Sequence, residues 1–164
     1  MNNRTAPSPT AVISYAQLLQ DARDKFAIGV CIEAAEKVSE AILLMEGTLS
    51  FAANNPQLAD AYALQAAICT EVHKTYHEFN RTGHGEGSKQ HYLRLALDAY
   101  RSEIACRELG CETEDLAKAH FLYGRTLAAD LGDSRGYQEI AKAMKILATL
   151  AKRDGVDIKA PWLY

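Results

Sequence analysis

Two segments of this chain carry the same pattern of apolar and small residues, 58 residues apart. Residues 58–66 read LADAYALQA and residues 116–124 read LAKAHFLYG, and an Ala-rich run follows each of them. In both segments the apolar positions recur at the three- and four-residue spacing of one helix face. Repetition of this kind is typical of stacked helical hairpins, because a single hairpin cannot bury its apolar face alone. The pattern predicts an all-α chain.

Composition and charge limit the classes of protein that the chain can represent. Its 164 residues are 48% hydrophobic and 24% charged with four prolines, as in one ordered globular domain. A net charge of −3 argues against nucleic acid as a partner, because nucleic-acid binding needs a concentrated basic face. No apolar run reaches the roughly 18 residues of a membrane helix, and the first ten residues lack the charged start and the apolar core that are typical of a signal peptide. We therefore expect a cytoplasmic protein that binds neither nucleic acid nor membrane.

The chain divides into three regions by composition. Residues 1–12 hold two of the four prolines and little apolar surface, and they are predicted to be a flexible lead. Residues 13–155 carry helical patterns and are predicted to form a single helical-repeat domain. Residues 156–164 are an apolar tail with the only tryptophan, Trp162. Because terminal repeats leave an apolar face open, the tail is predicted to pack as a cap.

Local signals predict six helices. Ser14 and Gln17 have the spacing of a capping box, and Asn55 and Thr113 are further N-cap candidates. The predicted helices span residues 14–25, 28–51, 56–80, 89–109, 114 onwards and 137–153, with a glycine-rich loop at 81–88. Whether Phe26 and Ala27 separate the first two helices is left open. Short loops make consecutive helices antiparallel neighbours, which gives three hairpins.

These helices resemble tetratricopeptide repeats. In that family the first helix of a repeat carries a large residue and a small one four positions later, as Tyr62 with Ala66 and His120 with Gly124 do here. The second helix carries alanines and an aromatic residue at its packing positions. The matching positions here are Leu93, Ala96, Tyr100, Ala141 and Ala148. The resemblance covers roughly residues 58–154, and it implies three antiparallel hairpins stacked as a short right-handed superhelix or bundle.

The resemblance also implies a function. Tetratricopeptide-like domains hold a segment of another protein on the face that their first helices line, so we expect a non-catalytic adaptor or scaffold with no cofactor. Polar residues on or beside the packed stripe are candidates for partner contact, and Trp162 is a candidate anchor from the tail. These candidates are Gln65, His73, Tyr123, Arg125, Asp130 and Trp162. A further hypothesis is a self-associating module, a homodimer that pairs through the apolar tail.

A histidine cluster supports an alternative function, metal binding. His73, His77, His84 and His91 fall within 19 residues. His73 and His77 are four positions apart, so their imidazoles lie on one side of a helix at a spacing that can hold zinc. The glycine-rich loop and the next helix would supply the other two ligands. This spacing matches no established zinc signature.

Signals for catalysis and for disulfides are weak. The sequence has no HExxH, GxSxG, P-loop or CxxC motif, which argues against an enzyme. Its four cysteines are therefore expected to be reduced thiols, three of them buried in helices and Cys111 exposed beside Gly110. Glu103 lies within an apolar stripe, where an unpaired carboxylate would be destabilising. We expect it to pair with Arg107 or with a basic residue of a neighbouring helix.

Overall fold

Six α-helices account for almost all of the ordered secondary structure. The computed structural model describes residues 14–48, 55–79, 86–155 and 160–163, with backbone alone at 77–79 and 86–88. The helices are α1 (Tyr15–Ala27), α2 (Cys31–Glu46), α3 (Pro56–Phe79), α4 (Glu86–Glu108), α5 (Glu114–Leu131) and α6 (Arg135–Asp154), followed by a 3-10 turn at Pro161–Leu163. No strand occurs in these ranges, and the all-α prediction is confirmed. The predicted lead, residues 1–12, lies outside the described residues.

Three helix starts coincide with the predicted caps. The Ser14 hydroxyl accepts a hydrogen bond from the backbone N–H of Gln17 at 3.2 Å, while Gln17 Oε1 accepts one from the backbone N–H of Ser14 at 3.0 Å. Asn55 Oδ1 accepts a hydrogen bond of 2.8 Å from the backbone N–H of the residue two positions later. Thr113 Oγ1 accepts one of 3.2 Å from the backbone N–H of the residue three positions later. Each cap satisfies amides that have no acceptor within the helix, which fixes where α1, α3 and α5 begin.

The second helix is shorter than the predicted 28–51. It begins at Cys31, after a turn in which Gly29 has a φ of +81°, and it ends at Glu46. The left-handed conformation of Gly29 breaks the helical path, and Gly47 weakens its continuation because glycine is a poor helix former. The prediction followed the apolar pattern through Gly47 and missed this end.

Two other helices begin earlier than predicted. The α4 helix starts at Glu86, so residues 86–88 belong to its first turn and not to the glycine-rich loop. Amides in a first turn have no intrahelical acceptor, so Gly87 costs less there than in a helix interior. The α6 helix starts at Arg135, whose amide donates to Asp133 Oδ1 at 2.9 Å. Residues 81–85 lie outside the described part of the chain.

Sequential helices pair closely. The most extensive contacts join α1 to α2, α3 to α4 and α5 to α6, and smaller ones join α2 to α3 and α4 to α5. The tightest approach is between Gly124 of α5 and Gly136 at the start of α6. A Cβ on Gly124 would lie 2.5 Å from the Gly136 carbonyl oxygen, well inside van der Waals contact. The small residue expected at a hairpin contact is thus required at Gly124.

The core is built from the faces that these pairs bury. One apolar cluster fills the space among the first four helices around Val38, Met45 and Ile68. A second joins α4, α5 and α6 to the chain end, where Ala160 is buried. No helix in the described part of the chain combines the length and apolarity needed to cross a bilayer.

Candidate partner-binding site

An open cleft lies between α3 and α5. The two helices scarcely touch each other, because both pack on α4. The cleft has a volume of about 240 Å³, with α3 and α5 as its walls and α4 as its floor. The lining residues are Asp60, Ala63 and Ala67 from α3, Tyr100, Glu103 and Arg107 from α4, and Asp115, Lys118, Ala119 and Leu122 from α5. Their three- and four-residue spacing places one stripe of each helix against the same space.

Small residues keep this cleft open. Ala63 and Ala67 lie on successive turns of α3, and Ala119 lines the same cleft from α5. Alanine extends only a methyl group from the backbone, so at the present separation of the helices these side chains leave the space between the walls unfilled. Ala67 is exposed, which shows that the cleft opens to solvent.

A buried ion pair forms the floor of the cleft. Glu103 is only 5% exposed, and its Oε1 accepts from Arg107 Nε at 2.9 Å. The predicted pairing of these two residues is therefore confirmed. Burial raises the pKa of Glu103 to about 7, although the hydrogen bond from Arg107 lowers it in part. Desolvation thus outweighs the hydrogen bond and the charge of the guanidinium, and near neutral pH the carboxyl is present in both its ionised and its protonated form.

Two more carboxylates surround the same guanidinium. Arg107 Nη2 donates to Asp60 Oδ1 of α3 at 2.8 Å, and Nη1 lies 3.9 Å from Asp115 Oδ2 of α5. One arginine therefore links all three helices at this end of the cleft. The carboxylates outnumber the guanidinium three to one there, and both Asp60 and Asp115 raise the pKa of Glu103 further.

The other end of the cleft is closed by polar side chains. Tyr100 of α4 is buried, and its hydroxyl oxygen lies 3.4 Å from Thr70 Oγ1 of α3. Burial raises the pKa of Tyr100, although hydrogen bonds with Thr70 and with Thr126 of α5 lower it in part. Farther along, His73 Nε2 of α3 lies 4.0 Å from Asp130 Oδ1 of α5. The two walls are thus connected at this end as well as through Arg107.

The structure brings together two of the six predicted partner-contact residues, His73 and Asp130. In the described part of the chain the other four form no hydrogen bond or ion pair with this pair, and two of them, Arg125 and Trp162, share the ring of Phe121 as a neighbour. Gln65 donates to Ser39 of α2 at 3.0 Å, and the Tyr123 hydroxyl accepts from Arg101 of α4 at 3.0 Å. None of the six is among the residues that line the cleft. A role for them in partner contact stays a prediction.

Arg125 and Trp162 both contact Phe121 of α5. The Arg125 guanidinium lies 5.8 Å from the centroid of the Phe121 ring, and the centroid of the Trp162 ring lies 5.4 Å from it. The indole N–H donates to Glu114 Oε1 at 3.1 Å. The described part of the tail therefore packs on its own chain. Dimerisation through the tail stays a prediction.

The histidines of the metal hypothesis are only partly described. His73 is buried, and its Nδ1 lies 3.1 Å from the Lys89 carbonyl oxygen. His91 is exposed, with its ring against Tyr92. The side chain of His77 and all of His84 lie outside the described residues. Within the described ranges, no three His, Cys, Asp or Glu side chains converge closely enough to hold a metal.

A second polar cluster ties α5 to α6. His120 is buried, and its Nδ1 lies 2.7 Å from Glu139 Oε2, while Lys142 donates to the other oxygen at 2.7 Å. Burial raises the pKa of Glu139, but these two hydrogen bonds outweigh burial and leave it lowered. The cluster stabilises the contact between α5 and α6, because it gives the buried His120 a hydrogen-bond partner.

Sequence reasoning identified one part of the cleft and missed the rest. The apolar stripe around Glu103 marked a buried carboxylate, and the four-residue spacing marked Arg107 as its partner. Asp60 and Asp115 are far from both in the chain, and only the packing of three helices brings them together. The shared position of Asp60 and Asp115 near the starts of α3 and α5 was the one available signal.

Comparison of the chain with protein-family models, with curated proteins and with solved structures finds no match. The resemblance to tetratricopeptide repeats therefore rests on the sequence pattern and the helix pairing alone. Of its second-helix positions the structure buries Leu93, Ala96 and Tyr100, whereas Ala141 and Ala148 are exposed and do not pack as the pattern predicts.

Proposed function

We propose that this protein is a non-catalytic adaptor that binds a segment of another protein in the cleft between α3 and α5. The observation that carries the proposal is the cleft itself, an open space walled by small residues and floored by a buried ion pair. A ligand segment placed there would contact three helices at once. Such contacts give specificity through shape and charge, with no bond made or broken.

The helix arrangement supports this proposal. Three close pairs of sequential helices are compatible with three hairpins stacked in the tetratricopeptide manner. In that arrangement α3 and α5 would be the first helices of successive hairpins and would line one face. The close approach at Gly124, the small residue of the repeat pattern, agrees with this assignment. A right-handed superhelical stack is part of the proposal.

The polar closure of the cleft supports a fixed binding surface. Carboxylates of all three helices lie around the Arg107 guanidinium at one end, and Tyr100 joins the two walls at the other. A cleft whose walls are already held apart loses little conformational freedom when a ligand enters, which favours binding.

The proposal is tested by filling the cleft. A photo-reactive phenylalanine analogue at Ala67 identifies the partner by cross-linking in extract of the native cell. The affinity of the purified partner is then measured by calorimetry for Ala67→Trp and for Ala148→Trp, which changes an exposed alanine of α6 outside the cleft. We expect the first variant to bind at least about tenfold more weakly, because an indole occupies the ligand's space, and the second to bind normally.

Two outcomes would contradict the proposal. Equal affinity for the partner in the Ala67→Trp variant and the unmodified protein would place the binding surface elsewhere. Equal weakening by Ala148→Trp would show that the effect is not specific to the cleft. Circular dichroism and thermal melting of both variants establish that they are folded.

A further inference from the structure

We infer that the cleft between α3 and α5 receives a lysine side chain of the bound segment, with the ammonium group against Glu103 and the alkyl stem along the alanines of the walls. This inference rests on the proposed function and adds the chemistry that the partner must carry. It depends on the free oxygen of Glu103, the charge around it and the shape of the walls.

The first support is an unused acceptor at the floor of the cleft. Glu103 Oε1 is bonded to Arg107, whereas Oε2 accepts no hydrogen bond from any described residue. No buried side-chain oxygen or nitrogen among the described residues lacks a partner, so Oε2 is not enclosed and opens onto the cleft. A ligand that enters the cleft would displace solvent from Oε2, and this exchange is unfavourable unless the ligand supplies a donor in its place.

The second support is the excess of negative charge. Asp60, Glu103 and Asp115 surround one guanidinium, that of Arg107. Lys118 also lines the cleft, but it is exposed and its ammonium forms no ion pair among the described residues. A cation from a ligand would complete the charge balance at the floor, whereas an anionic ligand would meet three carboxylates.

The third support separates lysine from arginine. A guanidinium binds a carboxylate best through both oxygens, and Oε1 of Glu103 is already taken by Arg107. An ammonium is a compact charge that needs only the one free oxygen. Its four-carbon stem would lie along Ala63, Ala67 and Ala119, since lysine buries its stem on apolar surface while its charged end stays polar.

The experiment is a titration of isotope-labelled protein with short capped peptides, followed by NMR. The probes are acetyl-Ala-Ala-Lys-Ala-Ala-amide and its counterparts with norleucine, arginine or glutamate at the centre. Norleucine is the matched control, because it keeps the alkyl stem and lacks the ammonium. We expect the lysine peptide to shift the amides of residues 60–67 and 115–122, with weaker shifts from the arginine peptide and none from the glutamate peptide.

Two variants locate the ammonium. Glu103→Gln keeps the shape and removes the charge, and it should weaken lysine-peptide binding about tenfold, the effect of losing one charge-assisted hydrogen bond. Asp98→Asn, the same loss of charge at an exposed position of α4 outside the cleft, should leave binding unchanged. Asp60→Asn at the exposed mouth provides a second reading, with a smaller loss of about twofold, even where Glu103→Gln does not fold.

Failure of this inference is distinguishable from failure of the proposed function. Equal binding of the norleucine and lysine peptides, equal binding of arginine, or full binding by Glu103→Gln would overturn the lysine assignment. So would the absence of any shift up to the solubility limit of the lysine peptide. The adaptor proposal would still stand in each case if Ala67→Trp weakens binding of the natural partner.

Discussion

Replacement of Gly124 by alanine tests whether α5 and α6 depend on backbone contact. An alanine Cβ at this position would lie 2.5 Å from the Gly136 carbonyl oxygen and 2.9 Å from the Ile140 amide nitrogen. Both are backbone atoms, so no side-chain rotation removes the overlap. Relief requires α5 and α6 to move apart, which loosens the contacts on either side of the glycine pair.

The expected loss of stability follows from two opposing effects. Overpacking in a well-packed contact costs about 1–3 kcal/mol, and the fixed backbone atoms at Gly124 place this case near the upper end. Alanine in a helix interior gains about 1 kcal/mol over glycine. The net effect is a destabilisation of about 2 kcal/mol, equivalent to a fall of about 4–8 °C in Tm for a chain of this size.

The assay is urea unfolding followed by circular dichroism. Gly110→Ala is the matched control, because an added Cβ there would lie 3.5 Å from the Arg107 carbonyl oxygen, an ordinary contact. We expect its midpoint to be close to that of the unmodified protein. A Gly124→Ala variant that is as stable as the parent, or more stable by the helix-propensity gain alone, would refute the close approach of α5 and α6.

Three further predictions concern Glu103, the helix caps and the thiols. The pKa of Glu103 is raised to about 7 in the folded protein, so this group favours folding at low pH, and its contribution, on the order of 3 kcal/mol, is lost as the pH rises from about 4.5 to 7. The free energy of unfolding of Glu103→Gln should therefore vary less over that interval. An equal pH slope in the variant and the unmodified protein would contradict the burial of Glu103. Thr113→Ala should lower the free energy of unfolding by about 1 kcal/mol, because it removes the side-chain cap of α5. Ser134→Ala is the control and should change this free energy little, because the Ser134 side chain caps no amide of α6. Equal melting temperatures for the two variants would contradict a stabilising role of the Thr113 cap. Of the four cysteines only Cys111 is exposed, so a colorimetric thiol reagent should modify one thiol rapidly in the native protein and none in Cys111→Ser. Burial raises the pKa of Cys69 to about 12, which makes this thiol unreactive. Rapid modification of Cys69 would show that the core opens.

The sequence predicted the local features of this fold better than its distant contacts. Ser14, Asn55 and Thr113 were recognisable as caps because a cap is formed by residues two or three positions apart. The early end of α2 at Gly47 was missed, since the apolar pattern continues beyond it. Residue spacing within one helix also predicted the Glu103–Arg107 pair.

The candidate site could not be assembled from the sequence in the same way. Its walls come from α3 and α5, which lie on either side of α4, and their relative position depends on how two hairpins pack. Gln65 illustrates the difficulty. It is a polar residue beside the apolar stripe, as predicted, yet its amide turns toward Ser39 of α2 and away from the cleft.

The two ends of the cleft are held by contacts of different exposure. At one end the buried Tyr100 connects α4 to Thr70 and Thr126, whereas at the other end Arg107 reaches the exposed carboxylates of Asp60 and Asp115. A bulky residue of a bound segment should therefore be tolerated beside Asp60, which solvent already reaches, more readily than beside Tyr100, which is buried among its neighbours.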